Sequence, residues 1–220
     1  MRRLLLLRPE PGLSLSAARA SDLGLDPILT PLFAVQAVGW TAPDPAGFDA
    51  LLVTSANAMR HAGPQIAKLT PLSVHAVGEA TATAAREAGF QIASVGNGDV
   101  DALLAGLPRS QRLLHLTGGD HRDPASRHIV ESLPVYRAAA IPDPHLPSLT
   151  GLVAAVHSPR AGARLADLAP DRGDTIIAAI SSAAATACGG RWQQIAIAEL
   201  PDDVCLLALA ARLCHTFDPE

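Results

Sequence analysis

The feature that most restricts what this chain can fold into is an internal repeat. Sliding the sequence along itself by 103 residues lays Thr54-Ser55 on His157-Ser158, Val77-Gly78 on Ile180-Ser181, and Ala82 on Ala185. The same shift lays Ile92 on Ile195, Asp99 on Asp202 and Leu103-Leu104 on Leu206-Leu207, and the register holds without a gap from about residue 50 to 104. Strand ends, turns and helix starts all keep one offset. That argues for two copies of one supersecondary pattern rather than two alanine-rich segments matched by composition.

The repeated pattern is strand followed by helix. Short apolar runs at 4–7, 50–54, 74–77, 91–95, 113–117, 152–157, 175–180 and 194–198 read as strands. Alanine-rich segments between them, such as 79–88, 159–168 and 202–214, read as helices. Strands of this length, apolar throughout and separated by helices, predict parallel sheets of βαβ units buried on both faces. A chain of 220 residues, 49% hydrophobic and 17% charged, has the material for one large or two small cores. Two extended, proline-bearing stretches, 30–38 and 133–142, flank the middle copy. They predict two crossings between domains: a discontinuous domain of residues 1–34 with 141–220, an inserted domain of 40–133, and hinge strands at 35–39 and 134–140.

The formal net charge of -4 argues against a general nucleic-acid binder. No apolar run reaches the roughly 18 residues of a membrane span. Met1-Arg2-Arg3 and four leucines imitate a leader, but Arg8-Pro9-Glu10 stops the apolar run short of the usual ~7–15 residues. The segment is therefore expected to be a buried first strand, and the protein a cytoplasmic one. Three cysteines (Cys188, Cys205, Cys214) and eight histidines show no metal-ligand spacing, and an odd number of thiols suits a reducing compartment.

Candidate chemistry gathers where strands give way to helices. At Thr54-Ser55-Ala56-Asn57 and at His157-Ser158-Pro159-Arg160 a strand runs into small hydroxyl residues. Such residues cap a helix, and the helix start offers free N–H groups to an anion. Pro159 suits a first helical turn. Gly78 at the next turn permits close backbone approach, with Thr81 in the first helical turn behind it. A third turn, Leu116 to Asp123, mixes glycine, acid, His121 and Arg122; it reads either as a solvated loop or as an acid–base pair of His121 with Asp120 or Asp123 beside an arginine. Ligands of open α/β sheets bind at the carboxyl ends of strands, which is where all these turns lie. Arg122 in the third turn could take a carboxylate, for which the planar guanidinium is suited.

Arg8-Pro9, Thr54-Ser55-Ala56-Asn57-Ala58, Gly78 with Thr81-Ala82, Val135-Tyr136-Arg137, His157-Ser158-Pro159 and the late Ile180-Ser181 turn occur in an order that resembles the uroporphyrinogen-III synthase family. The resemblance runs from Leu4 to about Leu213. It implies an α/β fold of two flavodoxin-like parallel-sheet domains, joined by a two-stranded β-ladder hinge, with the active site in the inter-domain cleft. It implies a cofactor-free, metal-free lyase that cyclises hydroxymethylbilane to uroporphyrinogen III, inverting ring D with loss of water. The substrate would be a linear tetrapyrrole with eight carboxylates; no nucleic acid or membrane partner is implied, and the chain would act as a monomer. By the resemblance Tyr136, the only tyrosine, would be catalytic. Arg8, Thr54, Ser55, Asn57, Gly78, Thr81, Arg122, His157, Ser158, Arg160, Ser181 and Ser182 would bind substrate. Some positions depart from the family. Ser181 and Ala184 stand where the late turn often has glycine and threonine, Ala56 replaces a proline, and the segment before Leu152 is short enough to lack a helix. A two-lobed binding protein for a small anion, or an inactive synthase paralogue, would share most of these features.

Overall fold

The computed structural model describes residues 1–119 and 128–215. In chain order these residues form β1 (Arg3–Leu6), α1 (Gly12–Asp22), β2 (Ile28–Leu29), β3 (Phe33–Ala37), β4 (Ala50–Val53), α2 (Ala56–His61), β5 (Val74–Ala76), α3 (Glu79–Glu87), β6 (Ile92–Val95), α4 (Val100–Ala105), β7 (Arg112–Gly118) and β8 (Ile129–Ala140). They continue with β9 (Leu152–Val156), α5 (Pro159–Leu168), β10 (Ile176–Ala179), α6 (Ser182–Ala187), β11 (Gln194–Ile197) and α7 (Asp203–His215).

The chain divides into two compact units, Met1–Ala34 with Ala140–Glu220, and Val35–Ala139. In the first unit the strands lie in the order β2-β1-β9-β10-β11, all parallel. Counted within the unit that is 2-1-3-4-5, the flavodoxin arrangement. β9 and β10 are buried along their whole length, as strands covered on both faces must be, and this is why they read as unbroken apolar runs. Leu4, Leu6 and Val153 pack with Leu13 of α1 and Leu206, Leu209 and Leu213 of α7. The edge strand β11 is largely exposed.

The second unit has β8-β7-β4-β5-β6, with β3 flanking β8. Its order is 5-4-1-2-3. Placing β7 and β8 ahead of β4 turns it into 2-1-3-4-5, so the second unit is a circular permutation of the first. β4, β5 and β6 are then the counterparts of β9, β10 and β11. This explains why the sequence repeat stops near residue 104: the remaining two strands precede the repeat in one unit and follow it in the other. Asp99 and Asp202, paired by the offset, each cap a helix; Asp99 accepts from the Asp101 and Ala102 N–H groups and Asp202 from that of Cys205.

β8 is longer than the stretch expected from sequence. It pairs in parallel with β7 from Arg112↔Ile129 onward, with a register slip between Thr117 and Gly118. Its far end lies beside β3, where the Val38 N–H donates to the Val135 carbonyl at 3.1 Å and the Ile141 N–H to that of Leu32 at 3.0 Å, an antiparallel sense. One strand is thus both an interior sheet member and a crossing. The two-residue edge strand β2 has no counterpart among the runs read from sequence, because two residues carry no periodicity. No helix among the described residues is long and apolar enough to cross a membrane.

Candidate active site

Four strand-to-helix turns share one backbone shape. Ser55 (φ −148°), Ser158 (φ −162°), Ser181 (φ −158°) and Gly78 (φ −160°) are all extended residues at the N-caps of α2, α5, α6 and α3. The three serines use their side chains as caps. Ser55 Oγ accepts from the Asn57 N–H at 3.2 Å, Ser158 Oγ from Ala161 at 3.1 Å, and Ser181 Oγ from Ala184 at 3.3 Å. Gly78 has no side chain to do this, and a Cβ built there would meet nothing within 4 Å. Neither backbone strain nor crowding therefore demands glycine at this turn. The turn leaves room over the first N–H groups of α3, with the Thr81 side chain buried behind. Ser182 is exposed at the start of α6.

Thr54 turns inward. Its hydroxyl lies 3.1 Å from His115 Nε2, whose Nδ1 is 3.3 Å from Ser132 Oγ, so a hydrogen-bonded row crosses β4, β7 and β8. The switch point of this sheet, where strand order reverses, lies between β4 and β7, beside Thr54 and Gly118. Tyr136 of β8 is half-buried there. Its ring lies against the Gly118 backbone, and its centroid is 6.4 Å from that of His61. Arg122 lies outside the described residues, as do His121 and Asp123.

The switch point of the first unit lies between β1 and β9, and it holds a network the sequence reading missed. Asp203, the first residue of α7, receives His157 Nε2 at 2.7 Å, Ser16 Oγ at 2.7 Å and Arg8 Nη1 at 3.2 Å on Oδ1, and Arg19 Nη1 on Oδ2. Ser16 Oγ also accepts from Arg8 Nη1 at 3.0 Å. The His157 side chain is 8% exposed and that of Asp203 12%. Burial pushes the His157 pKa below its ordinary value; the bond to Asp203 pulls the other way and loses. Burial alone would raise the Asp203 pKa, but the bonds from Ser16, His157 and Arg19 outweigh it and hold the group down at about 2. The result is an ionised Asp203 between two guanidinium groups and a neutral imidazole. By the 103-residue offset the counterpart of Asp203 is Val100, so nothing in the repeat marks the position.

Arg160 is exposed at the start of α5, its guanidinium 4.5 Å above the Phe33 ring. A hollow of about 380 Å³ lined by Asp171, Arg172, Thr175 and Arg191 lies at the amino ends of β9 and β10, away from all these turns.

Parallel strands in switch-point order, with serine-capped turns at their carboxyl ends, define a protein of two doubly wound α/β units. Comparison with known proteins makes the class specific. Residues 15–207 match the family model for uroporphyrinogen-III synthase HemD, and the chain belongs to that family of cyclising lyases of tetrapyrrole biosynthesis. In fold it is similar to the uroporphyrinogen-III synthetase of Helicobacter pylori 26695, with 16% identity, a TM-score of 0.67, and 97% of this chain and 100% of that one covered. It is also similar to a mutant uroporphyrinogen III synthase from the extremely thermophilic bacterium Thermus thermophilus, with 20% identity, a TM-score of 0.50, and coverage of 96% and 98%. No curated protein matches it.

Proposed function

We propose that this chain cyclises hydroxymethylbilane to uroporphyrinogen III, inverting the last pyrrole ring and releasing water. The bilane closes unaided to the wrong isomer, so the task of the protein is to hold the chain folded. The substituted α-carbon of the last ring must be the nearer target for the carbon that loses its hydroxyl, giving a spiro intermediate. Most of that is orientation. Eight carboxylates give helix starts and arginines something to grip. Ser55, Asn57, Gly78, Thr81, Ser158, Ser181 and Ser182 would act through the uncapped or partly capped N–H groups of their turns. Arg8 and Arg160 would act through their guanidinium groups, and Arg122 is assigned likewise. Thr54 and His157 bond to protein neighbours and would support their turns from behind.

The observation that carries the reading is Tyr136. The only phenol of the chain stands at a switch point, its ring fixed against the Gly118 backbone. There it would donate a hydrogen bond to the departing hydroxyl. Three free cysteines support a cytoplasmic setting, and we take the acting form to be a single chain.

The test is to supply enzymatically made hydroxymethylbilane and separate the cyclic products. Type III product formed faster than spontaneous closure supports the proposal. Type I product alone, at the spontaneous rate, would leave an anion binder or an inactive paralogue.

A further inference from the structure

We propose that Gly12 and Asp203 form a rigid mounting for Arg8, which holds its guanidinium at the carboxyl end of β1 with one edge open to a carboxylate. The inference rests on the function proposed above and assigns two residues that neither motif nor repeat singles out.

Two contacts fix the group from different sides. Arg8 Nη1 is bonded to Ser16 Oγ at 3.0 Å and to Asp203 Oδ1 at 3.2 Å. A Cβ on Gly12 would stand 2.3 Å from Arg8 Nε, 2.6 Å from Cζ and 2.7 Å from Nη2, so the guanidinium lies on the bare backbone of the first residue of α1. Backbone conformation does not demand glycine here, because Gly12 is helical and alanine is the better helix former. The space is taken by Arg8 itself.

Asp203 is in turn held by Ser16, Arg19 and His157 as well as by Arg8. It therefore acts as a fixed acceptor rather than a mobile surface acid. One carboxylate facing two guanidinium groups leaves a positive charge uncompensated. The Arg8 side chain is 31% exposed against 12% for Asp203, and Arg8 Nε and Nη2 have no hydrogen-bond partner among the described residues. Nε and Nη2, the nitrogens nearest the bare Gly12 backbone, are the donors left over for a carboxylate once Nη1 is bonded to Ser16 and Asp203. An arginine already fixed in place loses less freedom on binding than a free one. Gly12 and Asp203 are thus positioning residues that act through Arg8.

The experiment combines Gly12→Ala, Asp203→Asn and Arg8→Ala with the double variant Gly12→Ala/Arg8→Ala. Kinetics of type III formation are read together with thermal midpoint and arginine side-chain NMR. Arg8→Ala should raise KM about tenfold or more with a smaller change in kcat, as loss of a charge-assisted bond used for binding. Gly12→Ala should raise KM severalfold while the thermal midpoint holds or rises, because the added methyl displaces only the end of a flexible side chain. In the Arg8→Ala background the same change should add nothing. Separate Nη signals from a slowly rotating Arg8 should be present in the native protein and collapse in Gly12→Ala and Asp203→Asn. That readout needs no substrate. Native KM in Gly12→Ala, an equal effect in both backgrounds, or unchanged Arg8 signals would overturn the mounting. Unchanged KM in Arg8→Ala with collapsed signals in Gly12→Ala would instead remove Arg8 from substrate binding, which is a failure of the functional reading.

Discussion

The ring of Tyr136 rests on the backbone of Gly118. A Cβ at Gly118 would stand 2.9 Å from Tyr136 Cε2 and Cζ and 3.1 Å from the phenol oxygen, at the point where the β7–β8 register slips. Real Cβ atoms do not approach that closely, so Gly118→Ala must turn or push the phenol aside. If that phenol serves the departing hydroxyl, turnover should fall by about tenfold or more, since small misplacements of a reacting group are costly. As the only tyrosine, Tyr136 gives a single labelled ring signal, which should shift in the variant. Full activity with a shifted ring signal would detach Gly118 and Tyr136 from catalysis.

Tyr136→Phe keeps the ring and removes the hydroxyl. Turnover should fall by about 10²-fold, the low end for a positioned proton donor. The type III fraction should fall with it, because activated bilane released too early closes to type I in solution. Thr81→Ala should lose less, since N–H groups of the α3 turn remain. Neither change opens a large core cavity, so thermal midpoints should stay near native. Pure type III product at native rate from Tyr136→Phe would make the residue a packing element only.

Acid should weaken the fold in two separate windows. Burial lowers the pKa of both His75 and His157 from 6.5. The unfolded chain then takes up their protons first, so their contribution is present above about pH 6.5 and is lost as pH falls through the folded values. Asp203, held at about 2 against its ordinary 3.8, contributes fully above pH 3.8 and loses that contribution as pH falls toward 2. Urea midpoints measured across pH 8 to 2 should show both declines. The double variant His75→Gln/His157→Gln should flatten the upper one; an unaltered upper slope would assign it to other groups.

Gly162 sits where α5 meets α6. A Cβ there would be 2.9 Å from the Ala184 carbonyl oxygen and from Cys188 Sγ, and 3.2 Å from the Cys188 backbone nitrogen. Two of these atoms are backbone and cannot move aside. Alanine would gain roughly 1 kcal/mol of helix propensity, but overpacking typically costs ~1–3 kcal/mol. Gly162→Ala should therefore lower the thermal midpoint by several degrees, and calorimetry decides the sign. A raised midpoint would show that the two helices can part without cost.

Much of this architecture is legible in the chain because buried parallel strands leave unbroken apolar runs, as at β4, β9 and β10, and because serine or aspartate marks the helix starts. The 159–168 helix is read to the residue, since Ser158 and Pro159 fix its beginning. What stays hidden is long-range. The sequence carries no local sign that β8 starts at Ile129, because its pairing with β7 is decided across the sheet. Asp203 looks like one more acid beside the capping Asp202; only the folded chain brings it to Arg8, 195 positions away. Gly12 and Gly118 have ordinary sequence neighbours, and their reason is a side chain arriving from elsewhere.

The permuted second unit, set inside the first, also fixes a sequence of events during synthesis. Met1–Ala34 leaves the ribosome long before its main sheet partner, since Arg3 pairs with Leu152. At ~5–20 residues per second that interval lasts roughly 7–30 s. Throughout it the Val35–Ala139 unit can complete its own sheet, whereas four leucines destined for full burial, Leu4 to Leu7, have little more than the short β2 to pair with. The nascent chain is therefore most exposed to misassociation at β1, and it stays so until β9 has been made.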